Sequence, residues 1–219
     1  MRVFICDDHT LFREGVKAIL RSEEAIQVVG EAPAGRPAVE QTLTMRPHVV
    51  LMDITMPDLC GFEATRRIRE ADDSVQVLIL TMHDDEELVA RCLEAGAAGY
   101  IMKDAPSSEL VEAIKAVYKG ERYLSPVVLQ KVVAGYVKGA PRPRTSYDRL
   151  SSREREVLQL LAEGLSVKEI ASHLNLSIKT VDVHKYNLMR KIGVHDRIEL
   201  VKYAIQRRLI SVSEMQLQD

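Results

Sequence analysis

Five short apolar runs, each followed by a stretch with helical spacing, fill the first 120 residues, and that alternation leaves few folds open. The runs are Val3–Cys6, Gln27–Gly30, His48–Met52, Val75–Leu80 and Gly99–Met102. After them come Leu11–Leu20, Ala38–Met45, Glu63–Glu70, Glu86–Leu93 and Ser107–Tyr118, with apolar residues three and four apart. A helix between two strands carries the chain back across the sheet, so consecutive strands run parallel. The expectation is a five-stranded parallel sheet covered by helices on both faces. Ser107 is expected to cap the last of these helices.

The pattern then changes. Residues 125–137 read as one more amphipathic helix, and Lys138–Ser146, with its prolines and glycine, as a linker. Beyond it only helices are expected: Ser152–Ala162, Ser166–His173, Ser177–Lys191 and Arg197–Arg208. Ser152 is expected to cap the first and Ser166 the second. Two short helices joined by Leu174-Asn175-Leu176 make a helix-turn-helix. The domains expected are therefore 2–120, a helix and flexible linker at 121–145, and an all-α four-helix domain at 146–211.

Charge divides along the same line. Residues 1–123 carry 14 Lys and Arg against 22 Asp and Glu, a net of −8, and residues 124–219 carry 16 against 10, a net of +6. An acidic front and a basic back imply different partners, and a basic surface attracts nucleic-acid phosphates. A hydrophobic share of 46 % supports true cores, and 28 % charged residues argue for a water-soluble chain. No run of about 18 apolar residues occurs, so no membrane span is expected. Acids at Asp7 and Asp8 come too early for a secretory signal, so a cytoplasmic location is expected. Cys6, Cys60 and Cys92 are an odd count without a Cys-x-x-Cys pair, which fits reduced, packed thiols.

Ligands of a parallel α/β sheet bind beyond the carboxyl ends of its strands. There the sequence places Asp7 and Asp8, then Asp53, then Thr81, then Lys103. Three carboxylates in one place call for a cation, and an all-oxygen donor set suits Mg²⁺. The first turn, Cys6-Asp7-Asp8-His9-Thr10, lacks the glycines that cradle a nucleotide phosphate. A carboxylate can instead act as the nucleophile and become an aspartyl-phosphate. Asp53, on the central strand, suits that role, with Asp7 and Asp8 for the metal and Lys103 and the Thr81 hydroxyl for phosphoryl oxygens. Taken alone, Thr81 and Tyr100 also read as packing residues, and His83 either as a solvated loop histidine or as a residue that tunes dephosphorylation.

In the third helix of the basic half, Val181, Leu188 and Ile192 share a core face. Lys179, Val183, Tyr186, Asn187 and Arg190 gather opposite, a mixture of cations, amide and aromatic suited to a major groove. Thr180 is placed to reach a phosphate and Lys185 to snorkel. The fourth helix is expected to expose Leu200, Tyr203 and Ala204, either for packing within the domain or for pairing two copies.

With these residues in view, 2–120 resembles the receiver domain of two-component response regulators. The resemblance rests on Asp7-Asp8, Asp53 with Met56-Pro57 and Gly61, Thr81, and Lys103 preceded by Gly99-Tyr100. It implies a flavodoxin-like α/β fold, phosphorylation of Asp53, and metal ligation by Asp8, Asp53 and the backbone carbonyl of Thr55, with Asp7 in support. It also implies a switch in which Thr81 and Tyr100 shift. Many receivers have proline after the lysine; here Asp104 follows, and a cis bond would cost about 3 kcal/mol, so no cis turn is assumed. Residues 150–210 resemble the LuxR-type helix-turn-helix of the NarL/FixJ class, through Leu150-Ser151-Ser152-Arg153-Glu154, Gly164 to Ala171, Ser177 to Val181 with His184, and Lys191-Ile192-Gly193-Val194. Relatives often carry lysine at position 182; the Asp182 found here can accept from a cytosine amino group.

Together the resemblances imply a transcriptional response regulator, not an enzyme beyond self-dephosphorylation. Its partners would be a sensor histidine kinase, double-stranded DNA and, once phosphorylated, a second copy. The alternative is a phosphorylation-independent DNA-binding regulator with a vestigial receiver. A free-standing aspartyl phosphatase fits less well, because Asp53-Ile54-Thr55 has no second acid two residues on.

Overall fold

A strand covered on both faces must be apolar throughout, and β1 (Arg2–Cys6) meets that demand, with Val3 to Cys6 at most 1 % exposed. It lies between β2 (Gln27–Ala32) and β3 (Val49–Met52), and the sheet continues through β4 (Gln76–Thr81), β5 (Gly99–Met102) and β6 (Tyr123–Leu124). The order is β2-β1-β3-β4-β5-β6, and every pairing is parallel. Residues 1–137 and 145–210 are described in this computed structural model. The chain divides into two compact units, Met1–Ala140 and Pro141–Asp219. Most of the expected linker, residues 138–144, and the last residue of the expected final domain, 211, lie outside the described residues.

The sixth strand corrects the expectation of five. Tyr123 and Leu124 pair with Gly99 and Tyr100. Two residues are too few to show an alternation, so no sequence period announces them.

The helices of the first unit are α1 (Thr10–Arg21), α2 (Gly35–Met45), α3 (Gly61–Ala71), α4 (Glu86–Glu94), α5 (Ser107–Tyr118) and α6 (Pro126–Val137). One face of the sheet sends Val3, Ile5, Leu51, Leu78, Leu80 and Ile101 against Val16 and Leu20 of α1 and Leu110, Ile114 and Val117 of α5. Period-two alternation sends Phe4, Met52, Ile79 and Tyr100 the other way, and all four are fully buried. α2 packs on α3, α3 on α4, and α4 on α6. Ser107 does not cap α5; it is the first helical residue, and Pro106, which has no side-chain donor or acceptor, precedes it.

Among its described residues the second unit has a 3-10 turn at Tyr147–Arg149 and four helices: α7 (Ser152–Ala162), α8 (Val167–Leu174), α9 (Ile178–Ile192) and α10 (Arg197–Gln206). The cap of α7 is Ser151, not Ser152. Ser151 accepts from the Glu154 N–H while Glu154 reaches back to the Ser151 N–H, a reciprocal box that requires a serine three residues before an acid. Ser166 and Glu169 repeat the device on α8, as expected for Ser166. Between α8 and α9 Asn175 takes the left-handed conformation, φ 53°, which makes the turn tight.

Candidate functional site

The pocket stands where β1, β3 and β5 end, because those strands deliver its charged groups: Asp7 and Asp8 after β1, Asp53 after β3 and Lys103 after β5. Asp53 follows β3, is 5 % exposed, and its N–H donates to the Cys6 carbonyl at 2.8 Å, which continues the ladder by one step. Its Oδ1 accepts from the Ile54 N–H at 2.7 Å. Its Oδ2 lies 2.7 Å from Lys103 Nζ, and the same ammonium is 2.7 Å from Asp7 Oδ2. Lys103 is carried past β5, and its N–H donates to the Thr81 carbonyl at 2.8 Å. The Lys103–Asp104 bond is trans. The ring of Phe12, on α1, lies 4.8 Å from the ammonium and covers it on a third side.

Close approach makes the pocket possible at Gly61. A β-carbon there would fall 1.8 Å from the Asp53 carbonyl oxygen, so only glycine lets α3 start against the turn that follows Asp53. The Gly61 N–H closes that turn on the Ile54 carbonyl at 2.7 Å.

Burial pushes the Asp53 carboxyl up from 3.8 to about 7; Lys103 opposes the rise, Asp7 adds to it, and the Ile54 N–H opposes it. Burial draws Lys103 down, but Asp53 and Asp7 outweigh it and leave its pKa raised. One ammonium therefore serves two carboxylates and leaves charge over. Donor atoms of Asp7, Asp8, His9 and Asp53 all lie within 4.8 Å of one another. Asp7 Oδ2 and Asp8 Oδ1 are buried without a directed hydrogen bond; each has only an ion-pair neighbour, Lys103 and His9 Nδ1, the latter at 2.7 Å. A surplus of buried anionic oxygen fits a hard divalent cation.

Thr81 is 1 % exposed, and its Oγ1 accepts from the His83 N–H at 3.3 Å. The Tyr100 hydroxyl donates to the His83 carbonyl at 2.7 Å. Thus Thr81, His83 and Tyr100 are joined through one peptide segment, and Tyr100 has no exposed surface. Asp7, Asp8, Asp53, Thr81, Tyr100 and Lys103 all belong to this neighbourhood; Thr55, expected through its carbonyl, sits in the turn after Asp53 and is half-buried. Phe12, against the Lys103 ammonium, and Arg13, which donates to the Asp7 carbonyl and to Glu31, border the pocket and are not singled out by the sequence. A cation at helical spacing behind a pair of acids was the available signal for Arg13.

In the second unit α9 buries Val181 and Leu188 completely and Ile192 in part. Lys179, Asp182, Val183, Tyr186 and Arg190 are exposed on one face, with Tyr186 at 65 %. The Arg190 guanidinium carbon lies 5.7 Å from the Tyr186 ring centroid. Asn187, expected on that face, is half-buried at its edge, as are Thr180 and Lys185. Thr180 Oγ1 already has one partner, Ser177 Oγ at 2.7 Å. Leu200 and Ala204 are core residues at 1 % and 0 % rather than exposed, and the Tyr203 hydroxyl meets Ser146 Oγ at 2.8 Å, so of the two expectations for α10 the stripe serves packing within the domain. α10 packs on α7. Ile198 and Lys202 are exposed instead.

Comparison with known proteins finds two family matches. The response regulator receiver domain matches residues 3–115, and the bacterial regulatory proteins of the luxR family match residues 148–204. The response regulator UvrY of Escherichia coli K12 is 37 % identical over 218 residues, covering 100 % of both chains. The oxygen regulatory protein NreC of Staphylococcus carnosus is 38 % identical over 215 residues, 96 % of this chain and 99 % of that one. A structure of RcsB from Salmonella enterica serovar Typhimurium, bound to promoter P1flhDC in the presence of phosphomimetic BeF3−, is 33 % identical with a TM-score of 0.59, covering 93 % of this chain and 97 % of that one. No described helix is long and apolar enough to cross a membrane.

Proposed function

The chain belongs to the response regulators that join a receiver domain to a LuxR-type helix-turn-helix, and from that premise we propose how it works. It is a cytoplasmic DNA-binding transcriptional regulator of a two-component system. Asp53 takes a phosphoryl group from a sensor histidine kinase, and the phosphorylated chain pairs with a second copy and binds promoter DNA. The observation that carries this reading is the shared ammonium: Lys103 Nζ at 2.7 Å from both Asp7 and Asp53, beside a surplus of buried carboxylate oxygen.

An Asp53 carboxylate oxygen attacks phosphorus of the kinase phosphohistidine. The new O–P bond forms as the P–N bond breaks, and the electron pair leaves with the imidazole, which picks up a proton. Lys103 turns from the Asp53 oxygen toward a phosphoryl oxygen, and the Thr81 hydroxyl donates to another. Mg²⁺, held by Asp8, Asp53 and the Thr55 carbonyl with Asp7 in support, would neutralise phosphoryl charge when bound. Movement of Thr81 is transmitted through the His83 peptide to Tyr100. On DNA, the exposed face of α9, Lys179, Asp182, Val183, Tyr186 and Arg190, enters the major groove, with Thr180, Lys185 and Asn187 at its edges. Turnover by the chain itself is limited to hydrolysis of its own acyl phosphate.

The test is incubation with a small phosphodonor and Mg²⁺, followed by selection of duplexes from a random library. Acid-labile phosphate lost in Asp53→Ala, with tighter selection and a larger species by sedimentation in the phosphorylated natural chain, is expected. Equal duplex binding by the natural chain and Asp53→Ala refutes phosphoryl control and favours the vestigial receiver.

A further inference from the structure

Arg13 lies one turn into α1, is 8 % exposed, and turns its guanidinium inward to the acidic turn. Nη1 donates to the Asp7 carbonyl at 2.7 Å, Nη2 to Thr10 Oγ1 at 3.3 Å and Nε to Glu31 Oε2 at 3.2 Å. Asp7 lies one residue beyond the end of β1, where the ladder no longer supplies its carbonyl with a donor, and Arg13 supplies one. The Asp7 N–H meanwhile donates to the Ala32 carbonyl at 3.1 Å. Glu31 and Ala32 are neighbours on β2, so one two-residue segment fixes Asp7 twice, directly and by way of Arg13.

The Asp7 carbonyl and the Asp8 N–H belong to one rigid peptide plane. A donor on that carbonyl therefore holds the plane that joins the two α-carbons from which the Asp7 and Asp8 carboxylates branch. Charge matters as well. An unpaired guanidinium so near would repel a cation, but Glu31 pairs with it through Oε2, and Lys17 Nζ meets the same oxygen at 3.0 Å. Lys17, with Arg13 assisting, keeps the Glu31 carboxyl below its ordinary range.

We propose that Arg13, neutralised by Glu31, is a positioning residue for the divalent cation of the acidic pocket, aiming Asp7 and Asp8 without adding net positive charge. The proposal rests on the reading of that pocket as a cation-dependent phosphoacceptor site. Partners that orient metal ligands from behind are worth about 10- to 100-fold in metal affinity.

The experiment is Mn²⁺ binding to the full-length chain, read from the electron paramagnetic resonance of free Mn²⁺, with melting followed in parallel. Arg13→Met and Glu31→Gln are each expected to weaken Mn²⁺ binding by about 10-fold or more. Arg13→Lys retains part of the affinity, because an ammonium reaches one of the three acceptors. The double variant Arg13→Met with Glu31→Gln costs less than the product of the two single effects. Should Arg13→Met fail to fold, Glu31→Gln and Arg13→Lys carry the test. A lowered melting temperature with Mn²⁺ affinity held within about twofold of the natural chain overturns the positioning role and leaves the pocket reading intact. If the natural chain shows no Mn²⁺ binding that Asp8→Ala abolishes, the pocket reading falls and the proposal with it.

Discussion

Asp53→Asn is expected to stabilise the N-terminal unit in the absence of divalent cation while removing its phosphoryl chemistry. Burial moves the Asp53 carboxyl from 3.8 to about 7. At about 1.4 kcal/mol for each tenfold change in proton affinity, keeping Asp53 ionised above that pH costs the folded unit about 4 kcal/mol. Asparagine has the shape of the protonated carboxyl and avoids this cost. Its amide, however, sets N–H donors beside the Lys103 ammonium, which removes part of the gain, so about 2–4 kcal/mol is expected at about pH 8. The sign follows from proton counting. Between 3.8 and about 7 the folded chain holds a proton on Asp53 that the unfolded chain has released, so stability falls as pH rises through that window and levels off above it. The advantage of the variant is therefore largest at about pH 8 and fades toward about pH 4. Urea unfolding in the presence of a chelator, followed by circular dichroism at several pH values, measures it. Adding Mg²⁺ raises the urea midpoint of the natural chain and leaves that of the variant in place. A variant no more stable than the natural chain at about pH 8, or one whose advantage does not shrink on acidification, refutes the reasoning.

Gly61→Ala places a methyl 1.8 Å from the Asp53 carbonyl oxygen, a backbone atom, so a loss of about 3 kcal/mol and of phosphate uptake is expected by urea unfolding and acid-labile labelling. Glu154→Ala breaks the α7 capping box and the 2.6 Å contact with Lys191, and calorimetry is expected to show the second unit destabilised by about 1–3 kcal/mol. Burial lifts the Glu154 carboxyl, but Lys191 and Ser151 hold it below its ordinary 4.5, so this stability is complete above 4.5 and is lost as pH falls through the lower folded value. Lys179→Ala is expected to weaken binding to all duplexes alike and to reduce the slope of log affinity against log salt by about 1, whereas Asp182→Asn alters preference at one base pair and leaves the slope unchanged, both read by fluorescence anisotropy.

The pocket was legible because its residues obey a positional rule. Asp7, Asp8, Asp53, Thr81 and Lys103 follow apolar runs, and a parallel sheet brings such positions to one edge whatever lies between them. The supporting residues follow no such rule. Arg13 and Glu31 are an ordinary helix cation and an ordinary strand acid until β2 and α1 are laid side by side, and Phe12 reads as core. Capping errors were small because the Ser-x-x-Glu box is local, yet Leu150-Ser151-Ser152 offers two serines, and only the Glu154 partner at 2.7 Å selects Ser151. The Leu200, Tyr203 and Ala204 stripe of α10 stayed open between packing within the domain and pairing two copies because only tertiary packing, here of α10 on α7, decides what a helical stripe meets.

The spacing of the pocket along the chain bears on its birth at the ribosome. Asp7, Asp53 and Lys103 lie just beyond β1, β3 and β5, so the early part of the nascent polypeptide carries the carboxylates without the ammonium that pairs with them. The site closes only when the strand that delivers Lys103 has left the exit tunnel and added itself to the sheet. The helix-turn-helix is synthesised after that moment. The phosphoryl-accepting unit has the time in which the last helices are translated to complete its own folding, and the groove-reading surface emerges onto a molecule whose input site is already assembled.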